Sequence, residues 1–208
     1  MGRAKDIVVK VIPSSVANDF VKRHHYSGKV VQNSVLHFGA FLDGKLGGVM
    51  QYGNPIDKRN VLNLVETSNQ GFNAKWNEML ELNRMAFSDV LPKNSESRCI
   101  SVSIRLIKKN APQVKWILSF ADGTQCGDGT IYRASGFLLT NIKKNTSLLE
   151  YKGQIIADKT LNNSNYKQQG MSAGKLKRMG AKPLTGYQLR YIYKIVKTSK
   201  LNCPNIPF

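Results

Sequence analysis

The chain has 208 residues, 41% of them hydrophobic, which suits a single domain over 1–208 with a sizeable core. No apolar run approaches the ~20 residues that cross a bilayer, and the N-terminus lacks a signal-peptide core, so the reading is a soluble cytoplasmic protein with no membrane partner. A formal net charge of +18 excludes an ordinary neutral surface, and it is lopsided: the C-terminal third, 143–208, carries 13 Lys and Arg against two acids, Glu150 and Asp158.

In chain order, IVVKVI (Ile7 to Ile12) reads as a strand. Ser14 or Ser15 then caps a helix with Val16, Phe20 and Val21 on one face, running through His24, His25 and Tyr26 to a stop at Gly28. LHFGAFLDGKLGGVMQYG reads as a hairpin turning at Asp43-Gly44, where glycine supplies the positive φ of a tight turn. Pro55 to Phe72 is a polar loop with an apolar interruption at Val61 to Val65. EMLELNRMAF reads as a central strand carrying Arg84. After Pro92 comes an amphipathic helix with Ile100, Ile104 and Ile107 on one face, stopped by Asn110-Ala111-Pro112. KWILSFAD is a buried strand that delivers Asp122 to its C-terminal end, before the loop GTQCGDG and a short helix carrying Tyr132. A strand, a hairpin at Lys152-Gly153, a polar loop from Asn162 to Gly170, the helix SAGKLKRMG and a closing strand YQLRYIYKI follow. The alternation makes this an α/β chain.

Ligand sites in α/β sheets lie where strands end and helices begin, which makes Asp122 and Tyr132 candidates for acid–base chemistry, against the plainer alternative of a solvated Asp and a packed Tyr. Cys99, Cys126 and Cys203 lie far apart without CxxC pairing, which argues against a disulfide framework or a structural zinc site. The basic third, with Lys175, Lys177, Arg178 and Arg190 among Tyr166, Tyr187, Tyr191 and Tyr193, suits a surface that neutralises phosphates and offers aromatic faces; the alternative is a generic solubility surface.

HHYSG (His24 to Gly28), ELNRMAF (Glu81 to Phe87), SRCISVSIRLIKK (Ser97 to Lys109), KWILSFADGTQCGDGTIYRASGF (Lys115 to Phe137), GKLKRMGAKP and QLRYIYKI, in this order and at these spacings, resemble the Mom family of bacteriophage DNA-modification proteins over roughly residues 20 to 197. The resemblance implies a GNAT-like acyltransferase fold with a mixed central sheet flanked by helices. It also implies conversion of adenine in DNA to N6-carbamoylmethyladenine, which hides phage DNA from restriction in the host cytoplasm. Double-stranded DNA with a flipped adenine would be the partner, and a homodimer stays open. In the GNAT order the splayed strands are ELNRMAF and KWILSFAD, which puts Arg84 and Asp122 on opposite walls of a cleft, with Ser101 and Ser103 in the helix over it. Tyr132 falls where many GNAT enzymes keep a tyrosine that protonates a departing thiolate. The family places HYSG in the active site, which brings in His25 and Tyr26. His25 is a base there or, with Asp122, a ligand for iron, which is associated with the family, although no HxH or HExxH spacing supports a metal.

One departure bears on the cofactor. GNAT enzymes bind the CoA pyrophosphate with a glycine-containing turn, where this chain has PKNSESRCIS. Ser95, Ser97 and Arg98 at the helix N-terminus can supplement its free N–H groups, so acyl-CoA or a related donor is one option. The expected division of labour has Asp122 or His25 taking the amine proton, Arg84 orienting an anion or oxyanion, and Tyr132 acting as acid toward the leaving group. The alternatives are a GNAT N-acetyltransferase for a protein or small-molecule amine, and a non-enzymatic basic DNA-binding module.

Overall fold

The structure is a computed structural model that describes residues 2–67, 73–125, 127–146, 148–157, 161 and 170–207. Cys126, Tyr166, most of the loop expected from Asn162 to Gly170 and the end of the loop expected from Pro55 to Phe72 lie outside the described residues. The elements are β1 (Val8–Val11), α1 (Ser14–His24), β2 (Ser34–Leu42), β3 (Lys45–Gly53), β4 (Val65–Glu66), β5 (Met79–Phe87), α2 (Ser95–Asn110), β6 (Trp116–Asp122), α3 (Thr130–Ala134), β7 (Leu138–Asn145), β8 (Leu148–Tyr151), β9 (Gln154–Ala157), α4 (Ala173–Arg178), β10 (Lys182–Pro183), β11 (Gly186–Lys194) and β12 (Lys200–Leu201).

Seven strands form the main sheet in the order β1-β2-β3-β5-β6-β11-β7. The pairs from β1 to β5 are antiparallel, while β5 and β6 run parallel, so the sheet is mixed. Asp43 (φ 51°) and Gly44 (φ 77°) both take positive φ between β2 and β3, as a two-residue hairpin requires. Parallel pairing of β5 with β6 runs from Met79 opposite Trp116 to Leu82 opposite Ser119 and stops there, although β5 continues to Phe87 and β6 to Asp122. The two central strands therefore part, and Arg84 lies two residues beyond the last pair on β5.

The chain folds as two compact units. One comprises Met1–Phe120, Gly129–Asn141 and Arg190–Phe208; the other comprises Ala121–Asp128 and Ile142–Leu189. In the first, α1 buries Ala17, Phe20 and Val21 against Ile12, Val49 and Ala86. Val16, expected on that face, is 41% exposed, because the helix turns Ala17 inward in phase with Phe20 and Val21. The helix also ends at His24 rather than running on toward Gly28. The segment read as a polar loop holds a 3-10 turn, Leu62–Leu64, and β4, which pairs with β12. Leu64 and Val65 reach a core cluster with Met79, Trp116, Leu118 and Ile192, so the apolar interruption anchors the loop. Two-residue strands such as β10 and β12 are too short to show a period in sequence.

The second unit has its own three-stranded sheet, β10-β8-β9, and its own core of Leu149, Ile156, Leu161, Leu176 and Ala181. The β8–β9 turn falls at Lys152-Gly153, both at positive φ. The end of β7 and the start of β11 close on one residue. Asn145 Nδ2 donates to Thr124 Oγ1 at 3.3 Å, and a Cβ on Gly186 would lie 2.8 Å from Thr124 Cα, so only glycine fits there. Among the described residues no helix is long and apolar enough to cross a membrane.

Candidate active site

The residues after α1 fold into a compact turn whose own side chains bind it. Gly28 N–H donates to the His25 carbonyl at 2.8 Å, and Gly28 takes φ +59°, a conformation that favours glycine. Ser27 N–H donates to His25 Nδ1 at 3.1 Å, Ser27 Oγ lies 2.9 Å from the same nitrogen, and Lys29 N–H donates to Ser27 Oγ. A backbone N–H can only donate, so Nδ1 is an acceptor and the neutral imidazole carries its proton on Nε2. Burial, reinforced by the positive charge of Arg84, pushes the His25 pKa down to about 4. At neutral pH the ring is uncharged and presents an Nε2–H donor.

Arg84 reaches the same turn from β5. Its Nε donates to the Lys29 carbonyl at 3.1 Å and its Nη1 to the Asn83 carbonyl at 2.9 Å. Nη2 makes no hydrogen bond among the described residues, so the guanidinium is held at Nε and Nη1 and keeps the Nη2 donors to spare. Burial lowers its pKa, while Tyr26 and Glu81 oppose that shift. Tyr26, 53% exposed, stacks on His25 with centroids 4.2 Å apart. A half-buried cation, a neutral imidazole donor and an accessible phenol thus meet at one place.

Behind Arg84 lies a polar group that the sequence reading missed. Gln51, opposite Arg84 in the β3–β5 register, is fully buried, donates from Nε2 to Asn18 Oδ1 at 2.8 Å and lies 3.2 Å from His37 Nδ1. The signal was present: His37 and Gln51 are polar residues inside apolar strands and face each other across the hairpin.

The other expected residues fall elsewhere. Asp122 ends β6 in a tight turn, its Oδ1 accepting from Thr124 N–H at 3.0 Å and its Oδ2 from Gln125 Nε2 at 2.7 Å. Tyr132 is 9% exposed, with its ring 5.2 Å from that of Tyr191 and 5.5 Å from that of Phe137. Gly129 makes room for this cluster, since a Cβ there would lie 2.5 Å from the Tyr191 ring. Ser101 and Ser103, expected together over the cleft, point opposite ways, because residues two apart on a helix do not share a face. Ser103 is fully buried with Oγ 2.6 Å from Tyr52 Oη, whose pKa burial raises, while Ser101 is exposed and donates to the Ser97 carbonyl.

The groups read as holders of a donor's phosphates make mostly local bonds, although Arg98 Nε is buried without a hydrogen-bond partner among the described residues. Ser95 Oγ donates to the Pro92 carbonyl, Ser97 Oγ to the Asn94 carbonyl, and Arg98 Nη2 to the Lys5 carbonyl. With Ser95 and Ser97 bonded to backbone carbonyls of their own turn, these side chains do not present a pyrophosphate cradle. Among the described residues no group of three or more His, Cys, Asp or Glu side chains is placed to hold a metal ion, and His25 engages Nδ1 with the Ser27 N–H. On the basic side, Lys175, Lys177 and Arg178 lie on α4, whereas Arg190 is a cross-strand clamp, with Nε on Thr140 Oγ1 at 3.0 Å and Nη2 on the Thr140 carbonyl at 3.2 Å.

Comparisons with known proteins agree on this architecture. A Bacillus subtilis acetyltransferase in complex with CoA superposes with a TM-score of 0.52 at 10% identity, covering 91% of this chain and 99% of that one. The ribosomal-protein-S18-alanine N-acetyltransferase of Escherichia coli gives 0.51 at 9% identity, covering 97% and 99%. At such identities the likeness establishes the fold, and the expected GNAT-like α/β fold with a mixed, helix-flanked sheet is the one observed. The methylcarbamoylase mom of Escherichia phage Mu is 41% identical over 138 residues, 64% of this chain and 53% of that protein, so the match spans about half the length of that relative. The family description "Mom protein family" matches residues 6–208, and with nearly its whole length so matched the chain belongs to the Mom family.

Proposed function

We propose that this protein is a phage-type DNA-modification enzyme that converts adenine in duplex DNA to N6-carbamoylmethyladenine and so protects that DNA from restriction. The likeness to the phage Mu methylcarbamoylase supports the transferred group, and the +18 charge supports a polyanionic substrate. The observation that carries the reading is Arg84, fixed by two backbone carbonyls with Nη2 unspent, beside a neutral imidazole donor and the Tyr26 phenol. Such a preset array of donors is what an anionic substrate group or a developing oxyanion requires.

Adenine's exocyclic amine is a poor nucleophile because its lone pair is delocalised into the ring. In a duplex it is also paired and stacked, so the base must be flipped out at a cost of roughly a few kcal/mol. In the proposed step the amine nitrogen forms a bond to the carbon of an activated carbamoylmethyl donor and gives up its proton to water, while the donor's leaving group departs with the electron pair of the broken bond. Arg84 and His25 Nε2–H hold the donor's polar group.

Nucleoside mass spectrometry of plasmid DNA from cells expressing the chain tests this. Deoxyadenosine is expected to gain one carbamoylmethyl group with the wild type and none with Arg84→Gln, which removes the charge and the spare donors. Unmodified DNA with acetylated amines in the same cells would make the chain an N-acetyltransferase, and bound but unmodified DNA would make it a binding module.

A further inference from the structure

Two adjoining concavities of about 360 and 400 Å³ follow the outer face of α2 and share Ser101 and Arg105. Together they form one groove along the helix from Asn94 to Lys108, a length of about 20 Å at ~1.5 Å per residue. One half is walled by Ser101, Ile104, Arg105, Lys108, Tyr193 and Lys197, and no acidic side chain lines either half. Lys197 Nζ lies 4.7 Å from the centre of the Tyr193 ring. Among the described residues no ion pair neutralises Arg105, Lys108 or Lys197. Three such cations side by side repel one another, an arrangement that a bound polyanion relieves. None of these residues belongs to the Arg84 site or to the basic α4.

We propose that this α2 groove is a second DNA-binding surface, in which Arg105, Lys108 and Lys197 neutralise successive backbone phosphates of duplex DNA. The inference rests on the reading of the protein as a DNA-modifying enzyme. A groove about 20 Å long is long enough for several phosphates of one strand, which follow one another every ~3.4 Å of helix axis. A compact anion would leave most of it unused. The Tyr193 ring and the aliphatic wall of Ile104 suit the sugar faces between phosphates. Arg98 takes no part, because its Nη2 is tied to the Lys5 carbonyl.

The test is fluorescence anisotropy of the full chain with a labelled duplex over a range of salt concentrations, comparing the wild type with the triple variant Arg105→Ala/Lys108→Ala/Lys197→Ala. Each phosphate that the protein no longer neutralises flattens the plot of log affinity against log salt by about 0.9, so a slope shallower by about two to three is expected, with an unchanged thermal melt. The charge-preserving Arg105→Lys/Lys108→Arg/Lys197→Arg variant is expected to keep the wild-type slope, which separates charge from packing. Wild-type binding with an unaltered slope in the alanine variant overturns the groove and leaves the enzymatic reading standing. Failure of the wild type to bind duplex overturns both. Binding of free ATP that is abolished in the alanine variant, with the duplex slope unchanged, would identify the groove as a site for a free nucleotide and also overturn the proposal.

Discussion

His25 shows how a few neighbours set a residue's chemistry. Its pKa of about 4, against an ordinary 6.5, reflects burial first and Arg84 second. A native state that resists protonation loses stability as acid charges the unfolded chain, so stability falls as pH drops from 6.5 toward 4 and is indifferent to this group above 6.5. NMR titration of the His25 ring is expected to show a midpoint near 4, rising in Arg84→Gln; a midpoint at 6.5 would mean that the ring is solvated and the turn open. Arg84→Lys is the second expectation at this scale. Lysine gathers its donors on one nitrogen and cannot span the Lys29 and Asn83 carbonyls while presenting a planar donor face, so DNA modification should collapse while stability falls by about 1.5–3 kcal/mol, the worth of one charge-assisted hydrogen bond. Normal modification by the Lys variant would reduce Arg84 to a point charge. The HYSG turn was visible in the sequence as a motif, but its tautomer was not, because that depends on which N–H reaches Nδ1. The division between Ser101 and Ser103 was legible: Ser103 is in phase with Ile100, Ile104 and Ile107, and Ser101 is not.

Among elements, α4 carries Lys175, Lys177 and Arg178 around a single buried residue, Leu176, with Ser172 capping it by accepting the Lys175 N–H at 3.2 Å. Replacing the three cations by alanine leaves Leu176 and the cap in place. The variant is therefore expected to melt like the wild type but to bind duplex DNA with a salt slope shallower by about one unit for each phosphate that α4 neutralises. An unchanged slope would take α4 out of the DNA surface. Arg190, grouped with these residues by charge alone, is clamped to Thr140, and that cannot be seen without knowing that β7 and β11 are neighbours. Long elements were readable because their apolar periods span several turns or pleats. The strands β4, β10 and β12 carry two residues each and follow from tertiary pairing.

At the scale of the whole molecule, the parallel register of β5 and β6 ends at Leu82 and Ser119, and Arg84 lies two residues past that point on β5. The order of elements along the chain was legible from their alternation and turn residues, and the parting of ELNRMAF and KWILSFAD was implied by the family resemblance, whereas the gathering of His25, Tyr26 and Arg84 needed the turn after α1 to fold back on β5. A different consequence attaches to the second unit. It closes around its own core of Leu149, Ile156, Leu161, Leu176 and Ala181, so a conservative change among these five is felt inside that unit and leaves the Ile12, Phe20 and Val49 cluster under α1 as it was.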